Sequence, residues 1–178
     1  MIIARIFEID YQASYYFAHL INKQTKLRTV LLLYSHTGSA IFWTVISILG
    51  ILFLPSKRAE FISLFLVTLV MMGIIYVIKH SIKRPRPDFK DTRFGSVIFD
   101  EYSFPSGHGT RAAYHFILLP LYFPSLTLFW YLWTISMVIV RILIGVHYIS
   151  DILGGIVISL FLVWLGFVLG VLPIISIF

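Results

Sequence analysis

Cysteine is absent from all 178 residues. Disulfides, thiolate catalysis and cysteine-based metal sites are thereby excluded. Charge is scarce as well. Charged residues make up 12% of the chain, where a soluble domain carries roughly 25%. The N-terminal stretch MIIARIFEIDYQ lacks a signal-peptide plan, because its acids come early and no small-residue cleavage site follows a long apolar core. Insertion into a membrane is expected to rely on internal segments. There is no internal repeat and no low-complexity segment.

What fills the chain instead is apolar. Hydrophobic residues account for 59%, and the mean hydropathy is +0.93. That surplus is too large for a water-exposed surface of this size, so lipid is expected to cover much of the exterior. The length fits one domain, residues 1–178. The expected fold class is all-α, a polytopic transmembrane helix bundle.

Five spans are expected, each near the roughly 20 residues that cross a bilayer. They cover about 38–54, 60–79, 106–123, 125–141 and 148–172. Before them, residues 1–33 carry Ile6, Ile9, Ala13, Tyr16, Phe17 and Leu20 at helical spacing, with Glu8, Asp10, Gln12 and Asn22 between. This reads as an amphipathic helix at the interface, since Glu8 and Asp10 would be costly in lipid. A crossing there would make six spans. Alternation of the spans puts the 80–105 loop and the 141–148 junction on one membrane face.

The net charge is +6, and it is clustered: Lys79, Lys83, Arg84, Arg86, Lys90 and Arg93 fall within fifteen positions. Such a run is ordinarily a polybasic patch drawn to anionic headgroups. The sharper reading is an anion-binding catalytic site. Pro85 and Pro87 interrupt helix after Lys79 and hold Arg86 in an extended segment. Arginine offers a planar fork to phosphate oxygens and lysine a point charge.

Two further clusters follow. In residues 105–108, Pro105 blocks helix upstream, Ser106 is a good N-cap, and Gly107 allows close backbone approach. The resulting helix N-terminus is a ready anion site, with His108 placed to donate a proton. By itself this is also how many ordinary helices begin. In residues 141–151, His147 and Asp151 are four apart, one turn on a helix. The carboxylate would fix the imidazole tautomer and leave the other nitrogen to attack. The plainer alternative is a structural polar pair inside a span, although intramembrane ionisable groups are usually functional. Arg141 is six residues before His147, about 600° of helix and so about 120° off its face. Gly145 therefore marks a break, with Arg141 ending one span and His147 beginning the next. The acids Glu8, Asp10, Glu60, Asp88, Asp91, Asp100 and Glu101 form no convincing metal cage, though the four in the loop would suit an adventitious cation.

Together the clusters at 79–87, 105–108 and 141–151 assemble two histidines, a carboxylate, three cations and a helix N-terminus. In this the sequence resembles the type 2 phosphatidic acid phosphatase family, which shares its site with vanadium haloperoxidases and bacterial class A acid phosphatases. That family's pattern is Lys-x6-Arg-Pro, then Pro-Ser-Gly-His, then Ser-Arg-x5-His-x3-Asp. Here it runs from Lys79 to Pro87, from Pro105 to His108, and from Arg141 to Asp151, over roughly two-fifths of the chain. Val140 departs from it by standing where the serine is usual.

The resemblance implies that His147 attacks phosphorus and Asp151 orients it. His108 would protonate the leaving oxygen and later activate water. Lys79, Arg86, Ser106, Gly107 and Arg141 would hold the phosphate oxygens, with no metal and no cofactor. The implied setting is a bacterial inner membrane with the site facing the periplasm or cell exterior. The remaining basic residues do not orient the chain. The expected partners are the bilayer and a phosphorylated lipid, with neither nucleic acid nor an obligatory protein partner. Lipid A 1-phosphate is the first choice of substrate, followed by undecaprenyl diphosphate, phosphatidylglycerol phosphate and phosphatidic acid. A lipid-to-lipid phosphotransferase is the second class of function. A transporter is the third, disfavoured because five spans show no paired repeats.

Overall fold

The structure is a computed structural model that describes residues 2–22, 24–87 and 101–172. Every regular element among them is helical. The helices are α1 (Ile2–Asn22), α2 (Thr25–Ser35), α3 (Ala40–Phe53), α4 (Arg58–Ile82), α5 (Gly107–Tyr122), α6 (Thr127–Ile144) and α7 (Ile149–Val168). Their ends follow local chemistry. Ser39 caps α3 through its side chain and Ser106 caps α5, each satisfying an amide that the first turn leaves open. Pro55 and Pro124 start the 3₁₀ turns that feed α4 and α6. Gly145 ends α6 at φ 74°, the left-handed region that glycine enters without steric cost.

Among the described residues, three helical stretches are long and apolar enough to cross a membrane alone: Pro55–Ile82, Pro124–Ile144 and Ile149–Val168. Lys26–Gly38 and Ala40–Phe53, bent by 48° at their junction, together make a fourth candidate. The expected spans over 60–79, 125–141 and 148–172 are therefore present. The one over 38–54 is the second arm of a bent pair. Helix α5, where a crossing from Ser106 is expected, has 16 residues, about 24 Å of helix. It is also polar in its first turns, which hold His108, Thr110 and Arg111.

Helix α5 is the interior of the bundle rather than part of its wall. Tyr114, Leu118 and Leu119 are completely buried, and Tyr122 nearly so. They pack with Trp43 and Phe61, Leu64 and Met71 of α3 and α4, and with Val163 of α7. Polar side chains stitch the same contact, Tyr114 to Thr68 at 3.0 Å and Tyr122 to Ser63 at 2.6 Å. The outer faces are apolar. Ile41, Phe53, Leu128, Val157 and Trp164 are each more than half exposed, the inverse of a water-soluble surface and the arrangement that lipid requires.

Residues 2–22 form one helix and 25–35 a second, in place of a single helix to residue 33. The apolar set Ile6, Ile9, Tyr16, Phe17 and Leu20 points outward from the bundle, while Ser14, Ala18 and Ile21 are buried against it. Asp10 is turned inward too, where Arg84 meets its charge. The cost that argued against placing this helix in lipid is reduced accordingly.

Candidate active site

The polar groups collect at one end of the bundle. At the other, Lys57 joins Glu60 at 2.9 Å and the Tyr122 carbonyl at 3.2 Å, tying the start of α4 to the end of α5. The candidate catalytic end is built from the last turns of α4 and α6, the first turns of α5 and α7, and the break between α2 and α3.

Helix α4 runs three residues beyond Lys79, to Ile82. Lys83 then turns the chain in a left-handed conformation at φ 53°, its amide donating to the Lys79 carbonyl. The following residues leave the helix, as the two prolines demand. Ser103 fastens them, its amide donating to the Arg84 carbonyl at 2.9 Å and its hydroxyl to the Pro85 carbonyl at 2.9 Å. Lys79 is buried and donates to the Tyr102 carbonyl at 2.6 Å. Arg86 donates to the Val146 carbonyl at 2.9 Å, next to His147. The first cationic cluster is thus pinned to the third.

Ser106 is completely buried. Its hydroxyl accepts from the Gly109 amide at 3.3 Å, and its own amide donates to the Asp151 carbonyl at 2.9 Å. A Cβ on Gly155 would stand 2.6 Å from the Ser106 carbonyl oxygen and one on Gly109 2.9 Å from that of Ile152, so α5 and α7 touch backbone to backbone here. That contact sets the second cluster directly against the third.

His147 and Asp151 are both buried. The expectation that they share a helix is corrected. Helix α7 begins at Ile149, so His147 lies in the turn before it, while Asp151 sits in its first turn. Glycine at 145 ends α6 four residues past Arg141, and the intervening turn swings His147 back over the helix start. The imidazole Nδ1 is 3.7 Å from Asp151 Oδ2, an electrostatic contact just longer than a hydrogen bond. Such pairs commonly tighten when substrate binds. Asp151 Oδ2 accepts from the Tyr148 amide at 2.9 Å, and Oδ1 accepts from Arg84 at 2.6 Å.

Three residues enter this site that the sequence patterns did not single out. Arg84 bridges Asp151 and Asp10, the latter at 2.9 Å. Asp10 also accepts from the Ser150 amide at 3.1 Å. Burial alone would raise the Asp10 carboxyl, but the bonds from Ser150 and Arg84 outweigh it and hold the group below its ordinary value. In the same corner, burial raises the Tyr148 phenol above its ordinary value, against the pull of Arg84. The third residue is Arg111. Its Nε donates to the Gly38 carbonyl at 2.7 Å, and its guanidinium lies 3.4 Å from His108 Nδ1 and against Gly107. Helical periodicity was the available signal, since Arg111 lies three residues after His108 and four after Gly107.

His108 Nε2 faces the Ser35 carbonyl at 3.2 Å. Arginine can only donate, so Nδ1 accepts and the neutral ring carries its proton on Nε2. Arg141, Arg111 and His147 all lie within electrostatic reach of His108. Among the described residues, no three histidine or acidic side chains stand together as metal ligands would. Asp88, Asp91 and Asp100 of the loop, with Lys90 and Arg93, lie outside the described residues.

Known proteins match this arrangement. Residues 60–171 match the PAP2 superfamily. Decaprenylphosphoryl-5-phosphoribose phosphatase of Mycobacterium tuberculosis is 31% identical over 129 residues, 68% of each chain. Lipid A 1-phosphatase of Rhizobium etli is 34% identical over 97 residues, which is 49% of this chain and 41% of that one. The crystal structure of a transmembrane PAP2-type phosphatidylglycerolphosphate phosphatase from Bacillus subtilis superposes with a TM-score of 0.73 at 25% identity, covering 96% of this chain and 89% of the other. The matched region holds the three clusters that meet at one end, and the whole bundle shares the fold of a membrane phosphatase: this chain belongs to the PAP2 superfamily.

Proposed function

We propose that the protein hydrolyses a phosphate monoester or diphosphate on a membrane lipid, through a phosphohistidine and without a metal. The observation that carries this reading is the meeting of His147, His108 and the cations of three separate elements at one buried corner. With Nδ1 turned to Asp151, His147 attacks phosphorus through Nε2, and the bond from phosphorus to the leaving oxygen breaks. Lys79, Arg86 and Arg141, with the Ser106 and Gly107 end of α5, hold the phosphoryl oxygens as charge builds on them. The leaving oxygen takes the place of the Ser35 carbonyl and receives the His108 Nε2 proton. Water then attacks the phosphorus and gives a proton back to His108. The P–N bond breaks, releasing phosphate and restoring His147.

The lipid part of the substrate has a candidate berth. A cavity of about 760 Å³ is walled by Phe42, Trp43, Phe129, Trp130 and Trp133, with Tyr34 and Thr37 at its polar edge. Thr37 adjoins Gly38, where a Cβ would come 3.2 Å from His108. An acyl or prenyl chain lying there would bring its headgroup toward the histidine. Lipid A 1-phosphate stays the first choice of substrate, because a relative of that specificity matches. A decaprenylphosphoryl phosphoribose and phosphatidylglycerol phosphate are the alternatives that the other relatives suggest. The proposed setting is a bacterial inner membrane with the catalytic end facing the periplasm or cell exterior.

The test is phosphate release by purified protein from a panel of these lipids, with undecaprenyl diphosphate and phosphatidic acid added, in the presence and absence of EDTA. Release from one of them that survives EDTA is the expected result. Loss in EDTA that Mg²⁺ restores overturns the metal-free mechanism. Transfer of phosphate to another lipid, with none released, overturns hydrolysis.

A further inference from the structure

Arg84 stands two residues before Arg86 in the same basic run, yet it is placed quite differently. Its NH1 group donates to Asp151 Oδ1 at 2.6 Å and to the Ser150 hydroxyl at 2.6 Å. Its NH2 group donates to Asp10 Oδ2 at 2.9 Å. The guanidinium carbon lies 4.0 Å from the centre of the Tyr148 ring and 5.5 Å from that of Phe7, so aromatic faces restrain it further. Its side chain is 16% exposed, against 10% for Asp10 and none for Asp151. Two carboxylates and a hydroxyl engage its donors, which marks it as a strut rather than a phosphate ligand.

Helix α1 completes the arrangement. Asp10 and Ser14 are one turn apart on one face. Asp10 Oδ1 accepts from the Ser150 amide at 3.1 Å, the Ser150 hydroxyl donates to Asp10 Oδ2, and Ser14 accepts from the Ile149 amide at 2.9 Å. The opening amides of α7 therefore find their acceptors on a helix about 140 residues away. Asp151 closes the same turn by accepting from the Tyr148 amide.

The two oxygens of Asp151 have divided roles. Oδ1 is held by Arg84, and Oδ2 faces His147 Nδ1. Held through Oδ1 by Arg84 and through Oδ2 by the Tyr148 amide, the carboxylate has little freedom to turn Oδ2 away from His147. We infer that Arg84 and Asp10 are positioning residues for Asp151, and that α1 thereby forms part of the machinery that aims His147. Asp10 holds Arg84 from behind and keeps the start of α7 in register. Without Arg84, Asp10 and Asp151 would face each other through Ser150 as uncompensated like charges. This inference rests on the reading of Asp151 as the orienter of His147.

The experiment measures kcat and KM with p-nitrophenyl phosphate, a soluble monoester that needs no lipid match, and with short-chain phosphatidic acid in detergent. The proteins are the full chain, Arg84→Gln, Arg84→Lys, Asp10→Asn, Asp151→Asn, and Arg84→Gln and Asp10→Asn each combined with Asp151→Asn. By analogy with the outer partners of metal-ligating histidines, loss of such a partner is expected to cost roughly 10- to 100-fold. Arg84→Gln is expected to lose about that much in kcat with KM changed less than about threefold. Arg84→Lys restores part of it, and Asp10→Asn loses less. The deciding readout is coupling. If both residues act through Asp151, each costs under about twofold once Asp151 is already Asn. A merely structural role would keep its full cost there and would appear in KM and thermal unfolding as well. Equal losses in both backgrounds, or full activity in Arg84→Gln, overturn the inference. Full activity in Asp151→Asn, or no turnover of either probe by the full chain, overturns instead the reading on which it rests.

Discussion

His147 and His108 are both histidines in one buried corner, and their surroundings separate their tasks. His147 has a carboxylate at 3.7 Å on its Nδ1 side, which suits the proposed nucleophile, an imidazole that would carry positive charge on binding phosphorus. His108 has an arginine on Nδ1 and a backbone carbonyl on Nε2, which suits a ring that starts neutral with a transferable proton. His147→Ala is therefore expected to abolish both turnover and any trapped phosphoenzyme. His108→Ala removes the proposed general acid, a role worth roughly 10² to 10⁴-fold. That loss should be larger with a glycerol or sugar oxygen as leaving group than with p-nitrophenolate, which departs without a proton. Rapid-quench labelling with ³²P-substrate checks the assignment. A long-lived, acid-labile adduct in His108→Ala supports it, and an adduct that survives His147→Ala reverses it.

At the scale of elements, the site depends on how closely α5 and α7 approach. Gly155 sits where a Cβ would meet backbone, 2.6 Å from the Ser106 carbonyl oxygen and 3.1 Å from the Thr110 amide nitrogen. Backbone has little room to give, so Gly155→Ala is expected to cost about 1–3 kcal/mol, as overpacking does. It should also cost activity by pushing the Ser106 end of α5 away from Asp151. Gly73 is the control, since nothing lies within 4 Å of a Cβ there. Gly73→Ala should leave activity alone and stabilise α4 by up to about 1 kcal/mol. Thermal unfolding in detergent, with turnover measured on the same samples, distinguishes the two. Equal behaviour of both variants would show that the close approach does not constrain the site.

The whole molecule is turned inside out relative to a soluble protein: the polar chemistry is enclosed at one end and large apolar side chains cover the flanks. Val157, near the middle of α7, is 66% exposed. On a water-soluble surface, an aspartate at so open a position would be tolerated. On a lipid-facing one it should cost roughly 2.5–3.5 kcal/mol at a helix centre. Val157→Asp is therefore expected to lower the yield of membrane-inserted protein sharply. Unchanged yield and unchanged unfolding in detergent would place that face against something other than lipid.

The helical class, the places of α4, α6 and α7, the N-cap at Ser106, the break at Gly145 and the three clusters were legible in the residues alone. These are local properties: hydropathy over a window, capping chemistry, the conformational range of glycine and proline, and fixed spacings along the chain. The sequence did not determine that α5 lies inside the bundle, that α2 and α3 are bent on each other, or that His147 precedes the helix carrying Asp151. Nor did it show Arg84, Asp10 and Arg111 in the site, although the step from His108 to Arg111 lay within reach of helical periodicity. Asp10 looked like a liability in an amphipathic helix because its partner stands 74 positions away. Which cation meets which carboxylate depends on how each helix is rotated about its axis and how deeply it is set against its neighbours. Only tertiary packing fixes those two quantities. It decides them here through backbone contact at Gly109 and Gly155 and through the amides of α7 that α1 satisfies.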